Sequence, residues 1–244
     1  MLEGVVKVQG ILYGIGVGPG DPELLTLKGA RLIKEADVIA LPQKKEGMDI
    51  VALEIVKPVV DVSNKTFLPL NMPMTKDADV LEQAHSEAAD KLIALLKDGK
   101  KVCFLTLGDP TVYSTYVYVH KKVLQAGYQA QLVAGVTSFC AVAARLNIPL
   151  VEQEEMLHVV PGTYNDENDS YIDLPGTKII MKSGKKIGKL KEQIAKRGLT
   201  KYAKMIECCG MSDEKVYEDF NEVSEDSHYF SVIILKEKRE SEHD

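Results

Sequence analysis

The run LYGIGVGPGDPELLTLK, residues 12–28, constrains the fold more than any other stretch of the chain. Leu12 to Ile15 reads as a short buried strand, and Gly14, Gly16, Gly18 and Gly20 recur at every second position. Without Cβ atoms the backbone can turn sharply and lie against a ligand or another segment. Asp21 is a good helix N-cap, and Pro22 suits the first helical position, where its missing N–H would be unpaired anyway. Leu25, Gly29, Leu32 and Ala36 follow at helical spacing. A strand, a glycine turn and a helix start thus share one short run. That layout suggests a nucleotide site, yet the usual fingerprints fail. In G-x-G-x-x-G the third glycine is Pro19 when counted from Gly14 and Asp21 when counted from Gly16, and no Gly-Lys-Ser/Thr triplet occurs. A glycine-rich turn with no ligand is the bland alternative.

Further along, Val38 to Leu41 reads as a strand ended by Pro42, and 49–57 as a short helix stopped by Pro58. Thr66 to Leu70 is a strand. Asp77 to Lys97 carries an apolar stripe of Val80, Leu81, Ala84, Ala88, Leu92 and Leu95, with Gly99 placed to end it. His85, beside the stripe, reads as a packed helical histidine. Lys101 to Leu107 is a buried strand broken by Gly108, Asp109 and Pro110. A helix then runs to about Ala126, Gln129 to Val133 is a strand, and a small-residue helix follows from Ser138. After Pro149 the pattern changes to strands at 156–160, 177–181, 202–208 and 229–235, with one clear helix at 187–197. The expectation is two α/β domains, residues 1–148 and 149–244, with five strands in the first.

Composition narrows the function. A net charge of −6 argues against a nucleic-acid surface, and no stretch reaches membrane-spanning length. A cytoplasmic protein is expected. Of four cysteines, Cys103 and Cys140 lie in apolar patterns and read as core. Cys208 and Cys209 are adjacent, without zinc-site spacing, and the five histidines include no H-x-x-x-H pair. No protein-bound metal is expected.

Three loops follow strands: the glycine run, residues 107–115 (LGDPTVYST) and residues 134–138 (AGVTS). Open α/β sheets place ligands at such carboxyl ends. In order and spacing the set resembles the tetrapyrrole methyltransferase family, the S-adenosylmethionine-dependent enzymes of cobalamin and sirohaem synthesis. The resemblance covers nearly the whole chain. Residues 12–23 and 105–116 look most like the branch that methylates carbon 20 of precorrin-2 or cobalt-factor II.

The resemblance implies a cofactor site at Pro19, Leu107, Gly108, Asp109, Val112, Thr137, Ser138, Met181 and Gly210. It also implies a cleft between two domains and a homodimer. Thr137 and Ser138 serve equally well as a plain helix cap. Asp109→Ala is expected to weaken cofactor binding and leave the fold intact. An aspartate proposed as a base in sirohaem-branch enzymes is matched by Pro42, so no catalytic base is carried over, and a uroporphyrinogen methyltransferase reading is weakened. Tyr113, Ser114, Tyr116 and His158 are candidate proton acceptors. The macrocyclic substrate carries carboxylate arms, so Lys44, Lys45, Lys182, Lys185 and Lys186 are candidate partners, with solvated surface charge as the alternative. Without a metal-ligand set, cobalt has to arrive inside the macrocycle, which favours cobalt-factor II as substrate. A family member acting on another carbon, or a non-catalytic S-adenosylmethionine-binding protein, stays open.

Overall fold

In a computed structural model, residues 9–44, 51–162, 169–225 and 227–238 are described. They divide between two compact units, 1–137 and 138–244.

The first unit is built on five parallel strands: β1 (Ile11–Gly16), β2 (Val38–Gln43), β3 (Thr66–Asn71), β4 (Lys101–Thr106) and β5 (Gln129–Val133), in the order β3-β2-β4-β1-β5. Side chains alternate across a strand, so a sheet covered on both faces needs apolar residues at every position. β4 shows this directly. Cys103 and Leu105 join one core with Ile15, Leu32, Ile33 and Ile39, while Val102 and Phe104 join a second with Leu12, Leu92, Leu96 and Tyr116. The covering helices are α1 (Leu27–Glu35), α2 (Val51–Val56), α3 (Ala78–Lys97) and α4 (Tyr116–Gln125). Asp77 caps α3 by accepting from the amides of Asp79 and Val80.

Two local expectations are corrected. Asp21 does not open the first α-helix. It caps a 3₁₀ turn at Pro22–Leu24, and Thr26 caps α1 by accepting from the Gly29 amide at 3.1 Å. Pro42 does not end β2 but pairs in register with Leu70. The β2–β4 ladder stops at Ala40, so among the described residues β2 beyond it pairs with β3 alone, an edge-like position where a missing N–H is tolerated.

The second unit carries α5 (Ser138–Arg145), β6 (Leu157–Pro161), β7 (Thr177–Met181), α6 (Ile187–Lys196), β8 (Ala203–Glu207), β9 (Lys215–Tyr217) and β10 (Ser231–Leu235). Its mixed sheet runs β6-β7-β10-β8-β9, with β10 antiparallel to both neighbours. Ile180, Met205, Ile233 and Leu235 pack with Ile187, Leu190 and Ile194 of α6. α5 lies against β10, which groups it with this unit rather than with residues 1–137. Cys140 on α5 is exposed, correcting its reading as core; Ala141, Val142 and Ala143 form the buried side.

Candidate functional site

In the first unit the carboxyl ends of β1, β4 and β5 lie side by side, since Gly16 pairs with Thr106 and Ile15 with Val133. The three expected loops therefore leave from one edge. They touch backbone to backbone. Gly18 and Gly108 exchange amide–carbonyl hydrogen bonds of 3.3 and 2.8 Å. A Cβ on Gly16 would lie 2.5 Å from the Gly108 carbonyl oxygen, and one on Gly135 only 2.2 Å from the same atom. Side chains cannot occupy such gaps, so these glycines serve loop-on-loop packing.

Asp109 locks this arrangement. It is 8% exposed; its Oδ1 accepts from the Thr111 amide at 2.7 Å and from the Thr111 hydroxyl, and its Oδ2 from the Gly135 amide at 2.9 Å. Both oxygens are thus occupied within the protein. Asp109 shapes the loop that Leu107, Gly108 and Val112 present. Pro19 is buried in the first loop, Leu107 rests on the core below, and Val112 is half-buried, as is Thr137. None of residues 16–26, 107–115 or 134–138 is lysine or arginine. These three loops therefore carry none of the cationic side chains that grip phosphates.

The proton-acceptor candidates separate. Tyr116 is buried under β1, its ring 4.9 Å from Phe104 and its hydroxyl 3.2 Å from His120 Nδ1, and burial pushes its phenol up. A Cβ on Gly14 would strike that ring at 1.9 Å, so Tyr116 fills the space Gly14 leaves. It is a fully buried core residue. Ser114 pairs its hydroxyl with Thr106 at 2.9 Å and accepts from the Tyr116 amide. Tyr113 differs: it is 44% exposed, with φ at 49°, and partial burial raises its phenol pKa. A non-glycine residue held there stores about 1–3 kcal/mol of strain, a pattern concentrated at functional sites.

In the second unit, β7 and β8 end at the same edge of the sheet, on either side of the start of β10. Met181 closes β7 and is half-buried. The next residue, Lys182, has φ 58°, and Cys208 after β8 has φ 50°. Lys182 sits 5.9 Å from the Tyr229 ring centroid, and burial lowers its pKa. Gly210 is exposed at φ 78°, its amide donating to Glu214 at 2.8 Å. Ser138, the first residue of α5, is half-buried. His158 lies toward the other end of β6, and its Nε2 donates to the Pro175 carbonyl at 2.8 Å. It is not at the edge that carries Met181.

Residues 11–222 match the tetrapyrrole (corrin/porphyrin) methylases. The chain belongs to this family. It is 37% identical over 234 residues to a Methanocaldococcus jannaschii protein named "Probable cobalt-precorrin-2 C(20)-methyltransferase", covering 92% of this chain and 95% of the relative. A cobalt-precorrin-2 C(20)-methyltransferase of Salmonella typhimurium is 30% identical over 236 residues, covering 96% and 99%. Among solved structures, a cobalt precorrin-4 methyltransferase superposes with a TM-score of 0.74 at 20% identity, over 93% of this chain and 94% of that one. A Thermus thermophilus uroporphyrin-III C-methyltransferase complexed with S-adenosyl homocysteine gives 0.66 at 22% identity, over 93% and 98%. These likenesses show the fold: a tetrapyrrole methylase of mixed α/β type with one parallel and one mixed sheet.

Within that family fold, the lysine candidates divide by surroundings. Lys44 is exposed, Lys186 is half-buried, and burial holds the charge of Lys182 partly out of water. Lys45 and the Lys185 side chain lie outside the described residues. Sequence reasoning missed one grouping. Cys208 Sγ, an Asp213 carboxylate oxygen and a His228 ring nitrogen all lie within 4.8 Å of one another. Burial and the neighbouring Asp213 push the Cys208 thiol up to about 12. No short motif connects positions 208, 213 and 228; the turn after β8 and the entry to β10 bring them together.

Proposed function

We propose that this chain is an S-adenosylmethionine-dependent C-methyltransferase that methylates carbon 20 of cobalt-factor II in cobalamin biosynthesis. The observation that carries the reading is that relatives 37% and 30% identical over more than nine-tenths of the chain share one name, cobalt-precorrin-2 C(20)-methyltransferase. The three loops that present Pro19, Leu107, Gly108, Val112 and Thr137 hold no lysine or arginine, which is compatible with a methyl donor that carries a sulfonium cation. Met181, Ser138 and Gly210 are assigned to the same cofactor from their positions in the family's motifs. The bound donor supplies an already activated methyl group for in-line displacement. The protein's task is then to orient it and the macrocycle, which in favourable cases lowers a barrier by up to about 7–11 kcal/mol.

In this reading the Asp109 clamp fixes the shape of the donor-binding loops, Lys182 meets a substrate carboxylate, and Tyr113 lies beside the reacting carbon. Lys44, Lys45, Lys185 and Lys186 add positive charge for the remaining arms. A cytoplasmic homodimer belongs to the same proposal. The test is anaerobic incubation of the pure protein with labelled donor and either cobalt-factor II or precorrin-2, with the methylated carbon located by NMR. Transfer to carbon 20, with the higher kcat/KM for the cobalt form, is expected. A tenfold preference for the metal-free macrocycle, about 1.4 kcal/mol in the transition state, overturns the cobalt assignment. Donor binding without turnover on either makes the chain a binding protein.

A further inference from the structure

The cluster at Cys208, Asp213 and His228 has the composition of a metal site. It offers one sulfur, one carboxylate oxygen and one ring nitrogen, all within 4.8 Å of one another. Tetrahedral zinc with its usual bond lengths sets such atoms roughly 3.5 Å apart. Cys208 Sγ and His228 Nδ1 are already 3.1 Å apart. The imidazole is in the form a metal needs. The Phe230 amide, which can only donate, points at Nδ1 from 3.2 Å, so that nitrogen carries its lone pair. The supports lie one layer out. Glu207 accepts from the His228 amide at 2.9 Å and from the Tyr217 hydroxyl at 3.4 Å, fixing the segment that bears the ring. Cys208 is held at φ 50°, a conformation costly for a non-glycine residue, and its thiol faces the imidazole. Cys208 is buried while Asp213 and His228 are exposed, so an ion reaches the thiol from the solvent side.

We propose that Cys208, Asp213 and His228 bind a divalent ion of borderline softness, zinc foremost, with a fourth position left to water. Thiolate, imidazole and carboxylate together select such an ion over magnesium or calcium, which prefer all-oxygen sets. Coordination expels the thiol proton to solvent and takes the Nδ1 lone pair from the Phe230 amide. The ion ties the turn at 208–213 to the segment entering β10. The proposal is independent of which tetrapyrrole is methylated.

The test titrates Co²⁺ into chelator-treated, reduced full-length protein. One equivalent should produce visible d–d bands and a near-ultraviolet thiolate-to-cobalt charge-transfer band, and Zn²⁺ should abolish both. Cys208→Ser should lose the charge-transfer band, while Cys209→Ser keeps it. Asp213→Asn and His228→Gln, changes to exposed side chains that leave the core intact, should each weaken Zn²⁺ affinity at least tenfold. No charge-transfer band in the unmodified protein overturns the proposal. So does a band that survives Cys208→Ser, or zinc affinity unchanged in both the Asp213 and His228 variants.

Discussion

Asp109 Oδ2 accepts a hydrogen bond from the Gly135 amide at 2.9 Å, tying the loop after β4 to the loop after β5 across the end of β1. Together with the two bonds from Thr111, this makes the carboxylate the internal fastening of the candidate cofactor site.

Asp109→Ala is therefore expected to do two things, where the sequence pointed to one. It should weaken S-adenosylmethionine binding by distorting Gly108 and Val112. It should also destabilise the fold by about 1–3 kcal/mol in all, since the part-buried Thr111 and Gly135 amides lose their acceptor. Denaturant titration and calorimetry on the same preparation measure both. A variant with unaltered stability would show that the clamp is dispensable.

The glycines make a graded prediction. Gly16→Ala and Gly135→Ala place a methyl group 2.5 and 2.2 Å from the Gly108 carbonyl oxygen, so the loops must part. Overpacking of this kind costs about 1–3 kcal/mol and should weaken donor binding as well. Gly127→Ala meets open space but sits at φ 83°, so it should lose about 1–2 kcal/mol of stability with donor affinity unchanged. Equal binding losses at all three positions would disconnect loop contact from the site.

The glycine loops and the strands before them were legible because each rests on a local signal: an apolar run, a glycine break, a cap. β5 and β7 have the bounds read from the sequence, 129–133 and 177–181. Competing local signals gave the errors. Asp21 and Pro22 resemble a helix start, but Thr26 provides the cap that α1 uses. β9 was missed because it is a three-residue edge strand whose Lys215 and Val216 are exposed and show no apolar run. Tyr116 was a candidate proton acceptor, and only the packing against Gly14 shows it as core. The Cys208 cluster could not be read at all, since its members come from separate turns.

Tyr113 and Tyr116 should separate accordingly. Tyr116→Phe deletes the hydroxyl bonded to His120 and should cost on the order of 1 kcal/mol of stability, with kcat unchanged. Tyr113→Gly relieves the strain at φ 49°, so stability should hold or rise while kcat/KM falls. A Tyr113 variant with full activity would remove that residue from the site.

His85 predicts a pH dependence. It is buried and stacked on Tyr118, with centroids 4.9 Å apart and planes 7° from parallel, and desolvation lowers its pKa below 6.5. The folded state thus holds fewer protons than the unfolded state between that lowered value and the ordinary one of about 6.5. Stability should rise with pH across this window and be lost as pH falls through the folded pKa. His85→Gln should flatten the slope there, measured by denaturant midpoints at stepped pH. An unchanged slope would assign it to His120, whose pKa burial also lowers.

Lys182 carries the most specific prediction about substrate. Burial disfavours its ammonium form, so an arriving carboxylate gains more by pairing with it than with exposed Lys44. Lys182→Gln should raise the tetrapyrrole KM about tenfold, the loss of one charge-assisted hydrogen bond, and leave donor affinity unchanged. The defect should persist in high salt, because partly buried pairs are screened little, whereas any effect of Lys44→Gln should fade. The pH profile adds a second readout. The proton leaves Lys182 below the ordinary lysine value of about 10.4, so kcat/KM should begin to fall earlier on the alkaline side than an exposed lysine allows. Lys182→Gln should lack that limb altogether. A KM unchanged by this substitution would place the carboxylate contacts elsewhere and leave Lys182 as a packing partner of Tyr229.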